Sequence, residues 1–170
     1  MIFETRRLLI RDLSDSDFEA FHEMQSDEVV MRYTTGKALD AEENQRQLET
    51  CIASYANPTN EFWVWAVQRK SDQQFVGTCA IVPSEDGPEI GYRFRQRYFG
   101  QGFGQEVCDG LVLHATQELG LTKLIAYVDR RNVASIKILD RSALQFVREV
   151  KNEDGILDRF YRWTAAQEDR

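Results

Sequence analysis

The chain has 170 residues, a formal net charge of −7 and three cysteines. That length suits one domain with a sizeable core, and the odd, widely spaced Cys51, Cys79 and Cys108 fit neither a disulfide framework nor a zinc site. The acidic balance works against non-specific nucleic-acid binding and suits a cationic acceptor. No apolar run approaches the ~20 residues that span a bilayer, and the N-terminus has no signal-peptide core, so the expectation is a cytoplasmic protein with no membrane or nucleic-acid partner.

Arg7 to Leu13 reads as a first strand with charged ends. Ser14 or Asp15 then caps a helix with Phe18, Phe21, His22 and Met24 at helical spacing. An apolar patch from Val29 to Tyr33 leads into a loop at Thr34-Thr35-Gly36. Asp40 caps a polar helix that runs to about Tyr55, with Leu48, Cys51 and Ile52 inward, and Asn57-Pro58 ends it. The period then changes. Phe62 to Arg69, Phe75 to Val82 and Glu89 to Arg95 read as an antiparallel meander. A glycine-rich stretch follows, then a helix from Glu106 to Leu119 closed by Gly120. Lys123 to Val128 is a strand, Asn132 or Ala134 opens another helix to about Ser142, and Phe146 to Lys151 with Leu157 to Trp163 close the chain as a hairpin. The order predicts one α/β (α+β) domain over residues 1–170, with a mixed sheet and no linker.

Residues 97 to 104 read R-Y-F-G-Q-G-F-G between a strand and a helix. Glycines let the backbone bend and let a ligand approach its N–H groups, and the helix start adds unpaired donors and partial positive charge. Together these favour phosphate oxygens, with Arg95 and Arg97 as added charge at the mouth. The same residues also allow a tight turn with no ligand. A dinucleotide fingerprint wants Gly-x-Gly-x-x-Gly, but Gln105 stands at the sixth position from Gly100. Asp129 lies where a ribose-binding acid would sit, yet the preceding meander is not the first strand of a parallel βαβ unit. No Gly-Lys-Ser/Thr is present for a P-loop.

With these motifs in hand, the chain resembles the GNAT N-acetyltransferase superfamily, RimJ/RimL-like branch, over nearly its whole length. The carriers are Glu4 to Arg11, Ser26 to Tyr33, Glu89-Ile90-Gly91-Tyr92, Arg97-x-x-Gly100-x-Gly102, and Asn132-x-x-Ser135 with Leu139-Asp140-Arg141. The resemblance implies a mostly antiparallel central sheet of about seven strands flanked by about four helices. It implies acetyl-CoA as co-substrate, without a metal, in a V-shaped opening between the fourth and fifth strands. Backbone groups of Tyr92, Arg93 and Phe94, at a strand bulge, would meet the pantetheine arm. Arg97, Phe99, Gly100, Gln101, Gly102, Phe103 and Gly104 would hold the pyrophosphate. Asn132 and Ser135 would reach the cofactor from the far side, although an Asn after a strand is also a good helix cap.

Direct acyl transfer needs a base for the amine and a proton for the leaving thiolate, and no covalent enzyme intermediate. Glu89 is the best base candidate; Asp129 and Tyr127 are weaker. Many family members carry a tyrosine acid seven residues after the motif asparagine, where this chain has Leu139; Tyr92, Ser135 or water stand as substitutes. Tyr33, Thr34, Trp63 and Trp65 are candidates for the acceptor side, with core packing the competing role for the tryptophans. The acceptor is an amine, either a small molecule or a protein N-terminus such as that of a ribosomal protein. The enzyme is expected as a monomer or homodimer. A non-catalytic acyl-CoA-binding module on the same fold is the alternative.

Overall fold

A computed structural model describes residues 1–165. The strands are β1 (Phe3–Glu4), β2 (Leu8–Arg11), β3 (Trp63–Arg69), β4 (Phe75–Val82), β5 (Glu89–Phe94), β6 (Lys123–Asp129), β7 (Gln145–Lys151) and β8 (Leu157–Thr164). The helices are α1 (Phe18–Gln25), α2 (Glu28–Met31), α3 (Ala41–Ser54), α4 (Phe103–Gln117) and α5 (Val133–Leu139). One sheet holds all eight strands in the order β1-β2-β3-β4-β5-β6-β8-β7. The expected mixed, mostly antiparallel architecture is present, with one more strand and one more helix than the sequence pattern offers. Both additions are too short for a period to register. β1 has two residues, paired as Phe3↔Ile10 and Glu4↔Leu9. α2 is a single turn, whose start is fixed by Asp27 Oδ1 accepting from the Val29 amide at 2.8 Å.

Several boundaries move for local reasons. Asp15–Asp17 forms a 3-10 turn before α1. Asp17 accepts from the Ser14 amide at 2.9 Å and takes a two-pronged ion pair from Arg11. α4 starts at Phe103, because Gly102, with φ 79°, supplies its left-handed N-cap. α5 ends at Leu139, where the Arg141 and Ser142 amides bond to the carbonyls of Ile138 and Leu139 and tighten the last turn. Asp40 caps α3 as expected, accepting from the Glu43 amide at 2.8 Å while the Glu43 carboxylate accepts from the Asp40 amide.

The sheet has two covered faces. α4, with Phe103, Val107, Leu111 and Ala115 buried, packs on one face with Leu8, Ile10, Trp65 and Val67. α1 and α3 cover the other, where Phe21, Met24, Leu48 and Cys51 meet Ala66 and Phe75. Trp65 is 2% exposed, stacks on Trp63 at 5.8 Å and meets His114 of α4 edge-on at 5.7 Å. Trp65 is therefore core, and Trp63, half-buried, packs against the same cluster; neither lines the cleft between β5 and β6.

One junction in the sheet is parallel. β5 meets β6 at a single residue pair, Glu89↔Ile125, with the Ile125 amide donating to Pro88 O at 2.9 Å. On its far side β6 is fully laddered to β8, from Lys123↔Thr164 to Asp129↔Asp158. β5 is laddered to β4 from Val82↔Glu89 to Gly77↔Phe94 without a register shift. The extra-residue bulge that the resemblance implies is thus absent from this ladder. The local distortion is a close backbone approach instead: a Cβ on Gly77 would fall 2.0 Å from the Arg93 carbonyl oxygen. Each half of the sheet keeps its own partner, and beyond Glu89↔Ile125 the two halves separate.

Candidate active site

The separation of β5 from β6 opens a cleft of about 880 Å³. Because the opening passes through the sheet, residues from both faces line it. On β5 the faces alternate. Glu89, Gly91 and Arg93 lie opposite Val82, Ala80 and Thr78, on the side of α1 and α3. Tyr92 and Phe94 belong to the α4–α5 side, where they pack with the first core cluster. Ala126 to Asp129, Asn132, Ser135 and Leu139 complete the other wall.

Glu89 sits at the vertex of the opening, half-buried. Burial raises its carboxyl above the ordinary range, the Tyr127 backbone amide partly offsets this, and Asp158 adds to the rise. The weaker base candidates are engaged elsewhere. Asp129 is held low by its ion pair with Arg131, at 2.6 Å. The Tyr127 hydroxyl is pushed up to about 12 by burial and by its hydrogen bond to Asp86.

The Tyr92 hydroxyl is shut off from solvent and has no hydrogen-bond partner among the described residues. Burial raises its pKa strongly; Cys108 adds to the rise and Ser135 opposes it. Arg93 donates through Nη1 to Gln25 Oε1, while its Nε is buried without a partner. Burial pulls this guanidinium down to about 10.

The glycine turn has the expected strained backbone. Gly100 and Gly102 have φ of 72° and 79°, a region that disfavours a side chain. A Cβ on Gly100 would meet nothing within 4 Å, so the turn faces open space. Gly104 has a packing role, since a Cβ there would lie 2.5 Å from Ile138 Cδ1. Gln101 and Phe99 are exposed, and Phe103, the first residue of α4, is buried. Arg97 is bound to Glu23 at 2.5 Å, and Arg95 is buried against Glu23 and Phe75 O. Arg95 therefore does not stand at the mouth of the turn, as the sequence suggested; burial assigns it to tying β5 to α1.

The cation nearest the turn's backbone is one the sequence did not mark. Arg7 Nη1 donates to Gln101 O at 3.0 Å, and its guanidinium lies 4.5 Å from the Phe103 ring centre. Arg7 Nε also bonds Glu106 Oε2 at 2.7 Å, and Thr5 Oγ1 and the Arg7 amide both bond Glu106 Oε1. Thr5 and Arg7 belong to the opening segment that carried the resemblance. Glu106 lies in the first turn of α4, so that segment docks on the start of the helix. The only signal in the chain was an acid in a helix's first turn and a basic residue about a hundred positions away, and spacing does not join them.

Asn132 caps α5, with Oδ1 accepting from the Ser135 amide at 3.2 Å. Its Nδ2 makes no hydrogen bond among the described residues and remains available to the cleft. Leu139 lines the cleft and is 3% exposed. The three cysteines are free and buried, and burial raises the thiols of Cys51 to about 11 and Cys108 to about 12. None has the low pKa of a nucleophilic thiol. Among the described residues no cluster of three or more His, Cys, Asp or Glu could hold a metal, and no helix is long and apolar enough to cross a membrane.

Comparison with known proteins places this geometry. Residues 7–145 match the model of the acetyltransferase (GNAT) domain. The chain is 28% identical over 148 residues to the uncharacterized N-acetyltransferase YoaA of Bacillus subtilis (strain 168), covering 85% of this chain and 82% of that protein. Its fold superposes on a GNAT-family acetyltransferase from Bacillus anthracis with a TM-score of 0.83 at 22% identity, covering 95% of this chain and 96% of the other. It also superposes on RimL, a ribosomal alpha-N-protein acetyltransferase in complex with coenzyme A, with a TM-score of 0.81 at 14% identity, covering 96% and 97%.

Proposed function

The chain belongs to the GNAT acetyltransferase family, with a RimJ/RimL-like fold, and is an acyltransferase; on that premise we propose that residues 1–170 form one domain that transfers an acetyl group from acetyl-CoA directly to a primary amine. The observation that carries this reading is the union, on one strand, of a left-handed glycine turn at one end and a half-buried carboxylate at the other, beside an unpaired strand edge.

The residues fit the co-substrate. The turn is open at Gly100, and its backbone amides with the start of α4 suit pyrophosphate oxygens, with Arg7 and Arg97 adding charge. The β6-facing edge of Tyr92, Arg93 and Phe94 is free of strand pairing and suits an amide-bearing arm. Asn132 Nδ2 and Ser135 approach from the opposite wall. When bound, acetyl-CoA supplies an electrophilic thioester carbonyl.

Glu89 takes the proton from the acceptor ammonium, for which a raised carboxyl pKa is the useful direction. Tyr92 stays protonated across the neutral range and, at the position Leu139 leaves without an acid, gives its proton to the departing sulfur. The raised thiol of Cys108 speaks for direct transfer over an acyl-cysteine. The acceptor is an amine of a small molecule or of a protein N-terminus; RimL, whose fold this chain shares, acts on a ribosomal protein. Leu139 in the cleft wall favours a second reading, a non-catalytic acyl-CoA binder.

Calorimetry with acetyl-CoA, with NADH as the control, tests the donor. Acetyl-CoA is expected to bind and Gly102→Glu to abolish binding, whereas no binding at millimolar acetyl-CoA would sink the proposal. Thiol release across a panel of amines and peptides separates enzyme from binder, and binding without turnover across the whole panel selects the binder.

A further inference from the structure

Arg93 is out of balance with its surroundings. It lies on the acceptor side of β5, opposite Thr78 and facing the cleft. Arg95 and Arg97, which follow on the chain, share Glu23, and Arg131 on the opposite wall pairs with Asp129. Arg93 has no carboxylate partner among the described residues. Its one hydrogen bond goes to a neutral amide oxygen, that of Gln25, and its Nε is buried and unbonded. Gln25 cannot swing to offer more. Its Nε2 is committed to Asn44 Oδ1 at 2.7 Å and to Gln47 Oε1 at 3.0 Å, and Asn44 is itself bonded to Leu39 O and His22 Nδ1. A half-buried cation whose inner Nε donor is left unbonded is costly unless an anion completes it. The guanidinium fork suits a carboxylate or a phosphate.

From this unpaired, fixed guanidinium in the acceptor wall, we infer that the acceptor amine carries an anionic group, a carboxylate or phosphate, that pairs with Arg93 while the amine lies at Glu89. The inference rests on the proposed transferase reading. Glu89 and Arg93 are four residues apart on one strand face, roughly 13 Å between their Cα atoms. The two groups of the acceptor are therefore separated by a spacer, and an extended amine acid fits better than a compact one. Arg93 is in this role a specificity residue that touches the substrate.

The test is a matched series: hexylamine, 6-aminohexanoate, 6-aminohexyl phosphate and glycine, assayed by thiol release with acetyl-CoA. The wild type is expected to favour the carboxylate or phosphate amine over hexylamine by about tenfold or more in kcat/KM, the scale of a charged hydrogen bond. The two anionic arms tell carboxylate from phosphate. Arg93→Gln should bring that ratio to about one and Arg93→Lys should restore part of it; a ratio is insensitive to any general loss of activity. Equal rates for anionic and neutral amines in the wild type, which needs no variant to fold, would overturn the assignment, as would a ratio that survives Arg93→Gln. Calorimetric binding of 6-aminohexanoate to the CoA complex gives a readout without turnover. Binding lost in Arg93→Gln, with no thiol release from any amine, would retain the anion site and remove the transferase reading. Turnover of hexylamine without anion preference would do the reverse, and neither binding nor anion-favoured turnover would remove the site.

Discussion

β5 and the segment that follows it are built in opposite ways. Past the strand the charged groups have charged partners. Arg95 and Arg97 close on Glu23, Arg7 closes on Glu106, and Gly100 and Gly102 hold a backbone that other residues resist. Within the strand, from Glu89 to Arg93, groups are left wanting. Glu89 is half-buried with no cation beside it, Tyr92 Oη is buried without a partner, and Arg93 lacks an acid. A site that only holds a ligand can be rigid and complete before the ligand arrives. A site that moves protons needs groups whose ionisation is unsettled, and burial without neutralisation provides that. The contrast agrees with the proposed division of holding at the glycine turn and chemistry at the cleft.

The largest break should come at the chemical end. Glu89→Gln is expected to lower kcat by on the order of 10²–10⁴ with acetyl-CoA affinity unchanged in calorimetry. In the intact enzyme the base works only when deprotonated. Burial raises the Glu89 carboxyl above 4.5, so activity is lost as pH falls through that raised value, and Glu89→Gln should flatten this limb of the kcat profile. At the holding end the split should reverse. Arg7→Ala removes the guanidinium from Gln101 O and leaves Glu106 one charged partner short. We expect about a tenfold rise in the acetyl-CoA Kd with a smaller change in kcat. Gly104→Ala places a Cβ against Ile138 and should lower stability by ~1–3 kcal/mol, read as a fall in Tm. The smallest effect on activity should follow Asp40→Ala, which removes the α3 cap away from β5: about 1 kcal/mol of stability, with kcat and KM unchanged.

Much of this was written locally. Period and capping residues sufficed for the meander, the α3 start at Asp40, the body of α4 from Glu106 and the Asn132 cap, because each depends on neighbours within a few positions. The glycine spacing at 100 and 102 was likewise enough for the left-handed turn. The two-residue β1 and single-turn α2 escaped, since neither contains a full period. The direction of the Trp63–Trp65 face was also undecided, as alternation gives two faces and not which one meets α4.

Tertiary structure decided the rest, and the reason is distance along the chain. Arg7 finds Glu106 across 99 positions, Arg93 finds Gln25 across 68, and Arg97 finds Glu23 across 74. No short-range rule tells which arginine will be neutralised and which left open. β5 and β6 separate after one residue pair while each stays laddered to its outer neighbour, a relation between segments well separated along the chain. The sequence by itself determined the left-handed glycine turn before α4 and the family likeness. Only the packed sheet decided that Arg95 is a strut, that Arg7 serves the turn, and that Glu89, Tyr92 and Arg93 are the groups left with unfinished chemistry.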